Sequence, residues 1–529
     1  MDKPQLPYSK PHVERKPISV AFDGLRRAPQ RAMVSFLVTL SLAGCAVGLD
    51  FKAPAPPTDR DYVQQEVSAS SAELGQRVFM GATLRKDWWT SLQSPELNQV
   101  VEQALANNWS REVARANLAK AEETVAVARG GLFPKIDAVA GAGRQKYGAS
   151  FLGPQAAIFP VFSAYTGGAA VSYDFDVFGG QRRQIELAAA DTQVQEEALN
   201  AAHLSVAGDT VLTALQIASI RAQIEAVQSV IASDQQNLTL VLKACETGVA
   251  TQMDVTSAQS QLDRDRTMLP PLRQQLSVAQ DALAILVGKS PATWAAPNFN
   301  LDTLTLPQDI PMVVPSELVR TRPDIRAAEA RLHAASAAVG IATADMYPHL
   351  TLSAGIAEDG LFSGPAGAAW SVIGGLAAPV FHGGALSAHR RETQDTYQAT
   401  FAQYQQTVLN AFKQVADNLH GLSNSADEVR TEQQALDSAS AALRLTRLGY
   451  SVGNAGIVQV LDAQRLQQLA ELQLVQARTQ RYVQTVSLFL AAGGGITEPL
   501  PKPQGKFAGE RDIPVSSLNR RTSGVVARP

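Results

Sequence analysis

The chain has 529 residues, with 46 Lys and Arg against 49 Asp and Glu, for a net charge of −3. That balance leaves no basic field to hold a polynucleotide, so nucleic acid is excluded as a partner. Aromatic residues make up 6% and charged residues 18%; the latter is below the ~25% of ordinary soluble domains, which suits narrow, close-packed helices better than a thick globular core. Arg26, Arg27 and Arg31 precede a short apolar run, Met33 to Leu42, that ends in Leu42-Ala43-Gly44-Cys45. A basic stretch, a short apolar run and small residues at the cut make a secretory signal. Leu-Ala-Gly-Cys is also the bacterial lipobox, so residues 1–44 read as a lipoprotein signal peptide and Cys45 as the residue that takes the lipid. Ala46 stands where aspartate would mark inner-membrane retention. Residues 1–25 are long ahead of such a signal, and a start at Met33 would forfeit the arginines.

Residues 45–94 read as the anchored segment, Pro-rich and extended from Ala53 to Thr58, with Trp88-Trp89 as packing residues. The chain then says the same thing twice. Residues 116–143 align without gaps on residues 330–357, so that Ala116, Leu118, Val125, Pro134 and Gly141 recur as Ala330, Leu332, Val339, Pro348 and Gly355. Val177-Phe178-Gly179-Gly180 is echoed by Val380-Phe381-His382-Gly383-Gly384, and the stretch from Gly248 by the stretch from Gly453. A period of about 205–214 residues is far beyond the ~20–50 of solenoid arrays and marks a duplicated half-molecule.

Repeat 1 spans residues 95–288. One helix is expected from Pro95 to Ala128, stopped by Gly130-Gly131 and Pro134. Two barrel strands follow at about 135–178. Ile136, Ala138, Ala140 and Ala142 alternate with Asp137, Val139, Gly141 and Gly143, and the second strand runs from Ala169 to Val177. Period two, apolar on one face and carboxylate or glycine on the other, fits a barrel wall with lipid outside and water inside; Asp174 and Asp176 then face the lumen. A helical hairpin occupies about 181–288. Ile217, Ile220, Ile224, Val227 and Ile231 form a coiled-coil seam, Cys245 is a small hydrophobe on the same seam, and Pro270-Pro271 break or kink the returning helix. Residues 289–315 form a Pro-rich linker. Repeat 2, residues 316–496, brings a helix, strands at about 349–381 and a hairpin at about 387–491. Trp370, at the start of its last strand, reads as a membrane-interface residue. Gly248 and Gly453 end the outgoing helices as left-handed caps, and residues 497–529 read as a disordered tail. Four strands cannot close a barrel alone, so several chains must share one wall. No GxxxxGK[ST], HExxH, GxSxG or zinc-like spacing occurs, so the reading includes no enzyme, cofactor or metal.

Four stretches resemble the TolC-like outer-membrane efflux proteins, in their NodT-type lipoprotein branch. They are Cys45 to Pro54; Asp87-Trp88-Trp89 with Pro95, Leu97 and Ala104 to Asn108; Val314 to Ala330; and Gly453 through Val460-Leu461-Asp462-Ala463-Gln464. The resemblance implies a mainly α fold with a membrane β-barrel: a homotrimer with twelve pooled strands in the outer membrane and a long α-helical coiled-coil tunnel in the periplasm. Its implied partners are a periplasmic adaptor (membrane fusion) protein and an inner-membrane resistance-nodulation-division transporter, and its implied role is a passive exit duct for drugs or other small toxic compounds. Matching positions make Asp462 one carboxylate of a periplasmic gate, with Gln459 where the family archetype has a second acidic residue. Tyr450 and Asp254 match a hydrogen-bonded latch between tip helices. Gly248 and Gly453 match the tips that contact the adaptor. Alternatives are the exit duct of a type I protein secretion system and a periplasmic coiled-coil scaffold lipoprotein without a pore.

Overall fold

The computed structural model describes residues 47–48, 50–59, 61–63, 76–146, 161–362 and 364–495. Cys45, the signal peptide and residues 497–529 lie outside the described residues. Strand β1 (Arg77–Met80) leads through a 3-10 turn at Trp88–Leu92 into α1 (Pro95–Asn107) and α2 (Trp109–Gly130). The single helix expected over 95–128 is therefore two. Asn108 divides them: its Oδ1 accepts the amides of Ser110 and Arg111, so it starts α2 as an N-cap while ending α1.

Strands β2 (Lys135–Gln145) and β3 (Phe162–Phe175) follow, then α3 (Gly180–Glu246), an unbroken helix of 67 residues, about 100 Å at ~1.5 Å per residue. The return is broken into α4 (Gln252–Arg266) and α5 (Leu269–Leu286). Pro270 and Pro271 sit in the first turn of α5, where a missing amide hydrogen costs nothing, so the break falls just ahead of them at Thr267–Met268. Strand β4 (Asp309–Met312) and the short helix α6 (Pro315–Thr321) precede α7 (Pro323–Ala344), strands β5 (His349–Leu361) and β6 (Ala366–Ala377), α8 (Ala385–Ser451), again 67 residues, and α9 (Ile457–Ala491). Gly421 does not interrupt α8.

Two sheets form. β1 and β4 pair in parallel, Arg77 opposite Asp309, and so tie the N-terminal segment to the stretch between the halves. Trp88, Leu92, Leu215, Leu283, Met312 and Phe489 meet in one large core around that junction, with Trp88 and Trp89 edge to face. The second sheet has the order β2-β3-β5-β6, antiparallel throughout. Its register aligns Ile136, Val171, Ala354 and Val372 in one row, and Ala138, Ala169, Ile356 and Trp370 in the next. From the helical end to that second row this face is apolar across the strands; Glu358 in the next row and Arg144 nearer the far end interrupt it. The other carries Asp137, Thr166, Ser172, Asp174, Thr351 and Ser353.

Candidate functional site: the hairpin tips, the wall and the N-terminal strap

Each long hairpin turns at a glycine in the left-handed region, Gly248 at φ 77° and Gly453 at φ 78°. No protein atom lies within 4 Å of where a Cβ would stand on either, so both tips face open space. Gly248 N–H donates to the Cys245 carbonyl and Gly453 N–H to that of Tyr450, which closes the orphan carbonyls at each helix end. Positions 205 apart take equivalent places. Cys245 and Tyr450 are both part-buried against one apolar cluster that includes Val241, Val255, Leu443 and Val460.

The returning helices start differently. Thr251 caps α4 reciprocally with Asp254: Asp254 Oδ2 accepts the Thr251 amide at 2.8 Å and its hydroxyl at 2.7 Å, and Thr251 Oγ1 accepts the Asp254 amide at 3.3 Å. The Thr251 amide and hydroxyl hold the Asp254 carboxyl below the ordinary carboxylate range. The equivalent pair in α9 is Gly456 and Gln459. Gln459 Oε1 accepts the Gly456 amide at 2.9 Å, but glycine has no side chain to return the bond. Asp462 is exposed one turn further on, 3.9 Å from Arg465. Within one chain Asp254 bonds to Thr251 and not to Tyr450.

At the wall, β6 begins at Ala366, four residues before Trp370, so Trp370 lies inside the strand opposite Ile356 rather than at its start. It is 78% exposed, on the apolar face. Aromatic pairs sit at both ends of the sheet: Tyr165 with Phe362 at one, Tyr173 with Phe175 and Phe178 with Tyr347 at the helical end. Asp174 is on β3, but Asp176 is not a free lumen charge. It lies beyond the strand, accepts the amides of Gln181 and Arg182 at the start of α3, and pairs with the Arg182 guanidinium at 3.2 Å.

A strap ahead of the helices, within the Cys45 to Pro54 stretch, is held by Arg183, Glu186 and His333, which the sequence reading did not single out. Val47 N–H donates to the Phe178 carbonyl at 3.0 Å. The buried Arg183 reaches Asp50 at 2.8 Å and Glu186 at 2.6 Å, Glu186 also holds His333 at 2.9 Å, and Phe51 stacks on the His333 ring at 4.5 Å. Gly48, at φ 109°, crosses Gly340 so closely that a Cβ would lie 2.8 Å from its Cα. The Val314 to Ala330 motif likewise proves to be a clamp. Buried Arg322 donates to the Ala491 carbonyl at 2.9 Å, to that of Ala411 and to the Gln414 amide oxygen, while Arg326 pairs with buried Glu197 at 2.8 Å. Arg322 Nε also donates to Asp324 Oδ1 at 2.8 Å, so its signal in the sequence was an arginine just before Pro323 with a carboxylate two residues on. Among the described residues no group of three or more His, Cys, Asp and Glu could hold a metal, and no helix is long and apolar enough to cross a membrane.

The profile of the family described as "Outer membrane efflux protein" matches residues 100–289 and 314–494. The chain belongs to the outer membrane efflux protein family. The two matched segments fall on the two halves of the duplication. Outer membrane protein OprJ of Pseudomonas aeruginosa is 29% identical over 483 residues, covering 89% of this chain and 97% of OprJ. Toluene efflux pump outer membrane protein TtgF of Pseudomonas putida is 29% identical over 475 residues, 87% of this chain and 96% of TtgF. The structure of the outer-membrane channel OprN, 26% identical, superposes with a TM-score of 0.75 over 86% of this chain and 100% of OprN. The chain is accordingly a TolC-like outer-membrane channel protein of efflux, a duct and not an enzyme.

Proposed function

We propose that three copies of this chain form one duct, lipid-anchored at Cys45 and gated at its periplasmic tips, through which a pump expels drugs or other small toxic compounds. The observation that carries the reading is the sheet, apolar on one face from Phe175 and Leu350 at the helical end to the row of Ile356 and Trp370, with the outer edges of β2 and β6 unpaired. Each unpaired backbone group in lipid costs several kcal/mol, so copies must join edge to edge until the wall closes. Two copies of four strands make eight, a bore that side chains just fill; three make twelve and leave a lumen lined by Asp137, Ser172, Asp174 and Thr351. Cys45 lies two residues before Val47, a reach of at most about 7 Å. Val47 is held at the helical end of β3, so acyl chains on Cys45 would enter the leaflet beside that end.

At the tips, three Asp462 carboxylates would ring the entrance. Gln459 adds no charge, and its amide oxygen is committed to Gly456, so the ring attracts cations weakly. Asp254 uses only Oδ2 on Thr251, which leaves Oδ1 for the Tyr450 hydroxyl of the latch. Gly248 and Gly453, flanked by exposed Val249, Met253, Val452 and Val458, offer an apolar rim to a periplasmic adaptor. Through it the duct would join an inner-membrane resistance-nodulation-division transporter. The toluene in the name of TtgF supports small apolar toxicants as cargo.

The test is twofold. The purified lipidated protein should give discrete conductance steps in planar bilayers, and deletion of its gene should sensitise cells to toluene and small amphipathic toxicants. A protein without conductance would be the scaffold lipoprotein. Unchanged sensitivity with lost export of one protein would make it a secretion duct.

A further inference from the structure

Roughly four helical turns from the first tip, α3, α4 and α9 bury a polar cluster that the duct reading does not use. Asp234 on α3 is 2% exposed and Asp265 on α4 is 4% exposed. Gln464 on α9 donates its Nε2 to Asp234 Oδ1 at 2.6 Å and accepts Asn237 Nδ2 on its Oε1 at 2.6 Å. Gln261 donates to Asp265 Oδ2 at 2.8 Å. Asp234 Oδ2 is buried with no donor. What faces Asp234 is the Asp265 carboxyl, which acts on it through charge and hydrogen bonding together.

The neighbouring cations are spent elsewhere. Arg266 reaches Gln235 and Asp263, Arg465 lies by Asp462, and Arg264 is exposed. Further along α9 the only nearby carboxyl is Glu471, itself pushed up by burial. Among the described residues no cation acts on Asp234. Two carboxylates side by side without water or a counter-charge cannot both stay ionised. A single proton between the two carboxyls would satisfy the orphan oxygen and remove the repulsion.

We infer that Asp234 and Asp265 share one proton that fastens α3, α4 and α9 together in the tip half of the hairpins, so that this half loosens as its surroundings turn alkaline. Burial first, then Asp265, pushes the Asp234 carboxyl up to about 8. A folded value raised above the unfolded one means that the folded state binds the extra proton. Stability is therefore greatest in the acid range and is lost as pH climbs to that value, opposite in sense to a salt-bridged carboxylate. Any effect on gate opening rests on the gate reading above, whereas the packing claim does not.

Asp234→Asn imitates the protonated form: its amide can donate to Asp265 while its oxygen still accepts from Gln464. Hydrogen–deuterium exchange on the full lipidated channel, corrected for intrinsic rates, reads the packing directly. Between pH ~6.5 and ~9, protection of residues 234–246 and 252–266 should fall by about thirtyfold in the native protein, the equivalent of one proton over the ~1.5 pH units below the raised Asp234 value. It should stay flat in Asp234→Asn and in Asp265→Asn, either of which serves if the other fails to fold. A native profile independent of pH, or both Asn variants less protected at every pH, would overturn the shared proton. So would a native protein that loses protection on adding a chelator, which would place a metal ion between the carboxyls.

Discussion

Asp254 and Gln459 occupy one place in the two halves, 205 residues apart, and each is turned back on the start of its own helix. This explains why a carboxylate and a carboxamide can exchange there: capping needs an acceptor oxygen, not a charge. It also isolates the latch from the cap. Tyr450→Phe removes only a hydroxyl and leaves the cluster around Val241 and Val460 intact. It is expected to raise single-channel conductance in bilayers, and a conductance equal to that of the native channel would remove Tyr450 from the gate. Asp254→Ala is the poorer probe, because it also strips the start of α4. Arg322 carries a different lesson. Its motif is the most specific in the chain, yet the side chain faces the last carbonyl of α9, a carbonyl inside α8 and the Asp324 carboxylate. Specificity of sequence there reflects a buried cation that must be fully hydrogen-bonded, not contact with cargo.

At the scale of elements, long helices were the most legible, because the seam residues Ile217, Ile220, Ile224, Val227 and Ile231 recur at three and four; Ile217, Ile220 and Val227 are indeed buried, and Ile224 and Ile231 half-buried. Strand starts were not. β3 begins at Phe162 and β6 at Ala366, seven and four residues before alternation becomes visible, because Tyr165-Thr166-Gly167-Gly168 and Ala366-Gly367-Ala368-Ala369 hide which face is apolar. The pairing of β1 with β4 could not be read locally: four residues find four others about 230 positions away. Asn108 was a missed signal. It caps α2 and also donates to the Leu286 carbonyl at 2.8 Å, holding the end of α5. Asn108→Ala should cost about 1–2 kcal/mol, measured as a lower denaturation midpoint of the channel. Asn108→Asp keeps the cap but not the donor, and should fall between the two.

For the whole molecule, duplication was legible from the echoes, whereas the number of copies is a property of edges that one chain leaves open. A purified channel should run in detergent with the mass of three chains and a β signal alongside the dominant helix. A monomer that retains both long hairpins would mean that the wall closes by other means. In a shared wall the open edges would also make the barrel the last part to form, since it would exist only after chains meet, while each helical half can pack from local contacts. Folding in the periplasm would thus run ahead of insertion.

The strap adds a mechanical consequence. Val47 is pinned beside the wall by a backbone bond to Phe178 and by the Arg183 guanidinium on its carbonyl, so a lipid on Cys45, two residues earlier, would have almost no slack. Three such short tethers around one ring would act as a tripod. A duct seated in that way resists tilting and rotation when a pump pulls on its far end.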